Sequence, residues 1–139
     1  MSAFILNADY DQIIEDDVME DLINLEPSVR ERTEKTAISR VASYLNSRYD
    51  TVEIFNKTGD DRHDDVVWAV LNITLYLLHQ RLHPNAVPEH RADAYNETKR
   101  WLNDVSCSLV NPVGLPVPAN GDKDHVLYGG ETKRQNRLT

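Results

Sequence analysis

One predicted helix limits what this chain can fold into, because it is apolar on nearly every side. Two stripes of apolar residues recur along it at helical spacing: Val66, Val70, Ile73 and Leu77, then Val67, Leu71, Leu75 and Leu78. A helix that is apolar all round must be covered by other elements. In a chain of 139 residues we expect the second stripe to be covered partly by the same chain and partly by a neighbouring subunit.

Polar residues and prolines mark the limits of this helix and of the helix that follows it. The acidic stretch Asp60–Asp65 is predicted to cap the start through Asp60 or Asp61, and its last two carboxylates suit the positive end of a helix dipole. Pro84 ends the helix, because a proline disfavours helical geometry in the residue before it. A second, amphipathic helix is predicted from Pro88-Glu89 to Ser106.

Two further helices are predicted upstream. The first runs from near Asp9 to Asn24, where apolar residues recur every three to four positions. The second begins at Pro27-Ser28, where Ser28 and Glu31 match a capping box, and ends near Arg48–Asp50. Residues 51–59 are predicted to form a loop. The sequence therefore predicts an all-α fold, a small bundle of about four helices over residues 1–106.

Residues 107–139 differ in composition from the rest of the chain. They contain three of the six prolines and four of the five glycines, and they show no helical period. A segment of this length without a core of its own is either unstructured or ordered by a partner. Its valines and leucines are too frequent for a purely solvated tail. We therefore predict an extended C-terminal arm that docks onto a neighbour, for example as an added strand.

The net charge of −8 is located at the N-terminus. Residues 1–26 contain eight acids and no Lys or Arg, whereas acids and bases balance in the remainder. An acidic strip that includes Asp11, Glu15, Asp16 and Glu20 repels phosphates and disfavours a primary role in DNA binding. The ordinary interpretation of such a strip is a solvated helix face.

The sequence shows no pattern typical of a catalytic or metal-binding site. His79 and His83 share a helix face, with His90 beyond the turn, but a zinc ion needs three or four converging ligands. The aspartates of Asp60–Asp65 do not have the spacing of a calcium-binding EF-hand loop. Cys107 is the single cysteine and has no obvious base beside it. We therefore predict an interaction module with no enzyme activity, no metal and no cofactor.

Membrane association is also not expected from the sequence. The longest apolar run, Val66–Leu78, is shorter than the roughly 20 residues that a spanning helix needs. The first residues lack the basic region of a secretory signal peptide.

Several short blocks of residues resemble a family of tailed-bacteriophage proteins. The blocks are Ala42–Tyr49 (ASYLNSRY), Gly59–Arg62 (GDDR), Leu75–Arg81 (LYLLHQR), Val87–Arg91 (VPEHR), Tyr95 and Trp101-Leu102. In combination they resemble head–tail connector proteins, which are also described as head-completion or adaptor proteins. The resemblance covers roughly residues 4–118, and the tail after Asn111 is longer than the family pattern.

This resemblance implies a structural role in the virion neck after assembly in the bacterial host cytoplasm. It implies a homo-oligomeric ring, commonly twelvefold, that binds the portal protein and tail or neck proteins. Genomic DNA would be passing cargo in the channel, which the acidic strip would face.

The expected contacts with the portal or a neighbouring subunit fall in two groups. One surrounds the turn between the last two helices and the other lies in the arm: Asp60, Arg62, His79, Arg81, Glu89 and Arg91, then Pro112, Leu115, Val117, Val126 and Leu127. Arg48 and Arg81 are alternatively predicted to form ion pairs with acids at helix starts. The alternative function is that of a small helical regulatory or DNA-associated phage protein, supported by the basic residues Lys133-Arg134 and Arg137.

Overall fold

A computed structural model describes residues 4–118, and this part of the chain is all-α. It contains six α-helices and one short 3-10 helix, Gly59–Asp61, and no strand within residues 4–118. The α-helices are α1 (Asn7–Tyr10), α2 (Asp16–Ile23), α3 (Pro27–Leu45), α4 (Thr51–Asn56), α5 (Asp64–Leu82) and α6 (Glu89–Ser106). Four of them have seven residues or more, which confirms the predicted all-α bundle of about four helices.

Helix α5 lies at the centre of the bundle. Helices α3 and α6 pack against it and against each other, and α2 packs against both α3 and α5. The largest fully buried side chains come from these helices and from α4: Leu45, Ile54, Ile73, Leu75, Leu78 and Leu102. No helix in residues 4–118 is both long and apolar enough to cross a membrane.

The second apolar stripe of α5 was predicted to be covered partly by its own chain and partly by a neighbouring subunit, and for three of its four residues the neighbour is not needed. Leu75 and Leu78 are completely buried within one chain, Leu71 is 6% exposed, and Val67 is partly buried. The acidic N-terminal segment also has an apolar side, whose residues join the same core: Phe4, Ile5, Tyr10, Met19, Leu22 and Ile23. A single chain therefore covers most of its most apolar helix, although Trp68 and Leu82 on that helix are 40% and 38% exposed.

The single helix predicted from Asp9 to Asn24 is two helices separated by a turn. Helix α1 ends at Tyr10 and α2 begins at Asp16. Between them, the carbonyl oxygen of Ile13 accepts a hydrogen bond of 2.6 Å from Arg91 of α6 instead of an intrahelical bond. Helix α2 ends as Asn24 enters the left-handed region at φ 54°, a common way to terminate a helix.

Three other details of the prediction need correction. Residues 51–56, predicted as part of a loop, form α4, because the Asp50 side chain accepts the amide of Glu53 at the start of that helix. Helix α5 is capped by His63, whose Nδ1 accepts the amide of Asp65, rather than by Asp60 or Asp61. Helix α3 starts at Pro27 as predicted, but its N-cap is Glu26 and no side-chain capping bond forms.

The described part of the C-terminal arm, residues 107–118, contains no helix or strand and folds back onto its own chain. Leu115 is buried in the core. The carbonyl of Pro116 accepts the amide of Asp50 at 2.9 Å. The carbonyl oxygen of Val113 lies 2.7 Å from Nε2 of His63. These contacts place the segment across the starts of α4 and α5.

Candidate interaction surfaces

Arg62 joins the N-terminal segment to the helical body. Its guanidinium donates to both carboxylate oxygens of Asp9, at 2.6 and 3.1 Å, and to the carbonyl oxygen of Phe4 at 2.7 Å. It also donates to the carbonyl oxygen of Gly59, which fixes its own backbone turn. The side chains of Arg62 and Asp9 are only 11% and 15% exposed, so water screens this ion pair weakly.

The electrostatics of this pair favour its charged form. Partial burial raises the pKa of the Asp9 carboxyl, but the hydrogen bonds from Arg62 and from the Leu6 amide outweigh it. The net pKa of Asp9 is therefore below its ordinary value. The hydrogen bond to Asp9 raises the pKa of Arg62 in turn, against the opposing effect of burial. Both groups thus remain charged at neutral pH.

A second link between the N-terminal segment and the body is the buried pair of Tyr10 and Glu34. The Tyr10 hydroxyl donates to Oε2 of Glu34 at 2.5 Å. Arg30, one turn earlier on α3, lies 3.5 Å from the same carboxylate and donates at 2.5 Å to the Asn7 side chain. Together these residues fix α1 against one face of α3.

Burial dominates the acid–base properties of this second link. It raises the pKa of Glu34, with Glu31 and Asp9 adding to the effect, while Tyr10 and Arg30 oppose it. Burial and the negative charge of Glu34 also raise the pKa of Tyr10 well above its ordinary range. The phenol therefore keeps its proton and stays a hydrogen-bond donor.

A third arginine, Arg91 of α6, completes the attachment of the N-terminal segment through the carbonyl oxygen of Ile13. Burial lowers the pKa of Arg91. Burial also lowers the pKa of the neighbouring His79, and the positive charges of Arg91, His90 and His83 lower it further. His79 is therefore held in its neutral form at neutral pH.

Arg48, in the turn after α3, holds the C-terminal segment in a similar way. It donates to the carbonyl oxygens of Val105 at 2.5 Å and Val110 at 3.4 Å, and it also bonds to the Asn111 side chain. The predicted ion pair of Arg48 with an acid at a helix start is not what the structure shows, because the guanidinium binds the end of α6 instead. Arg81 forms no ion pair with any acid of residues 4–118.

The residues predicted as contacts with portal or neighbour do not form one site. Asp60, Arg81, Glu89 and Val117 are exposed, while His79 and Pro112 are half-buried. Arg62 and Arg91 are engaged inside their own chain, and Leu115 is in the core. Val126 and Leu127 lie outside the described residues. The four acids of the predicted strip, Asp11, Glu15, Asp16 and Glu20, are all exposed.

The exposed apolar residues concentrate in the C-terminal segment. Val113 is 91% exposed, Leu109 is 75% exposed and Val117 is 69% exposed. Carbonyl oxygens of the same segment bind the body, so its backbone is fixed while these side chains point to solvent. These three apolar side chains are therefore accessible to another molecule.

Two grooves of the described part of the molecule differ in charge. The larger, of about 460 Å³, lies where the C-terminal segment passes the start of α5 and includes the four aspartates of Asp60–Asp65. The smaller, of about 210 Å³, lies between α3 and α5 and has arginines at its rim: it is lined by Val29, Arg32, Thr33, Thr36, Leu77 and Arg81.

Residues 4–118 contain no group of three or more His, Cys, Asp or Glu side chains placed to share a metal ion. The thiol of Cys107 is free and exposed at the end of α6. The surface of the described residues carries an acidic face, an exposed apolar segment and a groove with two arginines.

The sequence did not predict the roles of Tyr10 and Glu34. It also did not predict that Arg48, Arg62 and Arg91 bind carbonyl oxygens of their own chain. Glu34 and Tyr10 are 24 residues apart, and no local pattern indicates that they meet. One weak signal was present for Arg62 and Arg91, since each ends a motif block of the family resemblance. That signal did not show whether the two arginines contact their own chain or a partner, and both were interpreted as contacts with a partner.

No family model, no curated protein and no solved structure matches this chain.

Proposed function

We propose that this chain is a structural virion protein, a head–tail connector that forms a homo-oligomeric ring between the portal and the tail of a tailed bacteriophage. The sequence basis is the set of motif blocks between Ala42 and Leu102. In this role the protein carries out no catalytic step. It extends the channel through which DNA passes and offers docking surfaces above and below.

The observation that carries the proposal is the use of three motif arginines. Arg48, Arg62 and Arg91 come from three different blocks, and each donates to a backbone carbonyl oxygen of a described terminal segment. These cations thus attach the described N-terminal and C-terminal segments to the helical body. Such an arrangement suits a protein whose terminal segments are its contact surfaces.

The two fixed segments have opposite chemistry, which supports different tasks for them. The N-terminal segment presents carboxylates, which repel DNA phosphates and suit a surface past which DNA must move without binding. The C-terminal segment presents Val113 and Val117, and the buried centre of a protein interface is apolar. We therefore assign the C-terminal segment to the contact with portal, tail or neck proteins.

Co-expression with the portal protein of the same phage tests this proposal. The two proteins are expected to co-purify, and electron microscopy is expected to show a ring on the portal. Replacing Val113 and Val117 together by serine should weaken binding to portal or to tail components. Val52→Ser is the control, because Val52 is 71% exposed, close to the 69% of Val117, but lies on α4. A chain that associates with neither portal nor virions would overturn the proposal.

The alternative function, a DNA-associated regulator, depends on the basic residues Lys133-Arg134 and Arg137, which lie outside the described residues. A gel-shift assay at low salt distinguishes the two functions, because contacts with DNA phosphates weaken steeply as salt rises. Salt-dependent binding that is lost when these three residues are replaced by glutamine would favour the regulator.

A further inference from the structure

The groove between α3 and α5 is cationic and has an apolar floor. Arg32 and Arg81 stand exposed at its rim, while Val29 is buried and Leu77 half-buried beneath them. Neither arginine forms an ion pair with an acid of residues 4–118. An exposed guanidinium offers a planar set of donors that matches a carboxylate. The groove thus has the chemistry to receive an acidic, partly apolar helix.

Helix α2 has that chemistry on its outer face. Its inner face is formed by Met19, Leu22 and Ile23, which are buried in the core. On the outer side, Asp17 and Asp21 lie one turn apart and are exposed, and Val18, beside them, is 39% exposed. No Lys or Arg occurs in residues 1–26 to neutralise these carboxylates.

The geometry of α3 indicates that these two surfaces cannot meet within one chain. Arg30 and Glu34 of α3 hold α1, the start of the acidic segment. Arg32 and Thr36, which line the groove, are each two residues further on, which is about 200° around an α-helix. The other two groove residues of α3, Val29 and Thr33, lie about 100° from Arg30 and Glu34, so the groove is on a different side of α3 from α1, and no residue of α2 lines it.

We propose that the outer face of α2 in one subunit docks into the α3–α5 groove of the next subunit. The carboxylates of Asp17 and Asp21 would pair with Arg32 and Arg81, and Val18 would cover the apolar floor. Because two different surfaces meet, the contact is head-to-tail, and its repetition generates a ring when the rotation closes. The inference rests on the proposed function for ring closure and deepens it by naming the subunit contact.

Charge reversal of each surface, alone and in combination, tests this contact with the full chain. The first variant carries Asp17→Lys and Asp21→Lys, and the second carries Arg32→Glu and Arg81→Glu. Each variant alone would bring like charges together, so we expect its self-association to weaken by at least about tenfold. In an equimolar mixture the reversed face of one variant fits the reversed groove of the other, and the two native surfaces also fit. The mixture should therefore associate as the wild type does.

Matched controls separate this contact from general effects of charge. Asp93 and Glu97 on α6 are also exposed and one turn apart, so their double replacement by lysine changes the charge by the same amount as the first variant. Lys99→Glu with Arg100→Glu matches the second variant in the same way. Both controls should self-associate like the wild type. Far-UV circular dichroism of every variant checks that the helical fold is intact.

The readout is the mass distribution in sedimentation velocity at about 50 mM and about 500 mM salt, since screening weakens exposed ion pairs. The expected result is wild-type association that weakens at high salt, loss in each variant and rescue in the mixture. The inference is overturned by a wild type that stays monomeric at low salt, by variants that associate normally, or by a mixture that fails to associate. It is also overturned if wild-type chains do not bind each other and the groove variant instead loses binding to DNA or portal, because the groove then serves a different partner.

Failure of this inference and failure of the proposed function give different results. If the wild type binds portal and virions while charge reversal has no effect on assembly, the subunit contact is wrong and the connector function stands. If self-association follows the charge pattern but no chain binds portal or virions, the contact stands and the connector function is wrong.

Discussion

Replacing Arg62 with methionine is the sharpest test of how the N-terminal segment is attached. Methionine keeps most of the apolar stem but removes every donor of the guanidinium. The variant loses a two-pronged ion pair with Asp9 and the hydrogen bond to the carbonyl oxygen of Phe4. The Asp9 carboxylate is left with the Leu6 amide as its remaining hydrogen-bond donor in the described residues.

The size of the effect follows from the exposure of the pair. A hydrogen bond that involves a charged group contributes about 1.5–3 kcal/mol, and these bonds are not additive because they share one side chain. Since both side chains are less than one-sixth exposed, little of this is lost to screening. We expect the free energy of unfolding to fall by about 3 kcal/mol and the melting temperature by roughly 10 °C.

The pH dependence gives the prediction a distinctive sign. Folding lowers the pKa of Asp9, so the stability gained from its charged form is present above its ordinary value of 3.8. That stability is lost as the pH falls through the lower pKa of the folded state. The difference between wild type and Arg62→Met should therefore be full at pH 7 and shrink below about pH 4.

Urea unfolding followed by circular dichroism at pH 7 and pH 3 measures both effects. Arg40→Met is the control: this exposed arginine on α3 has no hydrogen bond or ion pair with another side chain in residues 4–118, and its replacement should change stability by less than about 0.5 kcal/mol. A loss at Arg62 no larger than at Arg40, or one equal at both pH values, would refute this account of the attachment.

Three further predictions test other parts of the structure. Glu34→Gln keeps an acceptor for Tyr10 and removes a buried charge. Because folding raises the pKa of Glu34, the wild type should lose stability relative to the variant as the pH rises above the ordinary value of 4.5. If the free energy of unfolding, measured with urea, changes with pH by the same amount in both proteins, this prediction is wrong. Leu75→Ala should lower the free energy of unfolding by about 3 kcal/mol without changing the sedimentation coefficient, and an altered oligomeric state would place this stripe in an interface. Arg48→Met should release the C-terminal segment and speed hydrogen exchange of the Asp50 amide by at least about tenfold, and unchanged exchange would show that the segment is held by other contacts.

Local patterns were sufficient to predict the longer helices. Apolar periodicity, together with Pro88 and the acids Asp64 and Asp65, predicted the bounds of α5 and α6 to within a few residues. This succeeded because those helices are long and their signals are local. Helix α4 was missed although Asp50 and Glu53 carry a capping signal, because its six residues are fewer than two helical turns and show no clear period.

Long-range contacts could not be predicted in the same way. The break after Tyr10 depends on Arg91, which is 78 residues away from the carbonyl oxygen of Ile13 that it binds. Leu75 is completely buried in a core to which residues of the N-terminal segment also belong, although that segment was interpreted from its charge rather than from its apolar side. For the same reason Arg62 was predicted to face a partner, although it faces Asp9. Sequence periodicity describes one element at a time, whereas these features arise between elements.

The carbonyl bonds of the three motif arginines have a consequence for how this protein can change over generations. Every residue has a carbonyl oxygen, so the bonds from Arg62 to residue 4, from Arg91 to residue 13 and from Arg48 to residues 105 and 110 do not depend on which side chains stand there. The exposed side chains of both terminal segments can therefore be replaced while the backbone attachment persists. A descendant protein that binds a different partner can therefore carry different exposed side chains on these segments while the arginine–carbonyl hydrogen bonds stay the same.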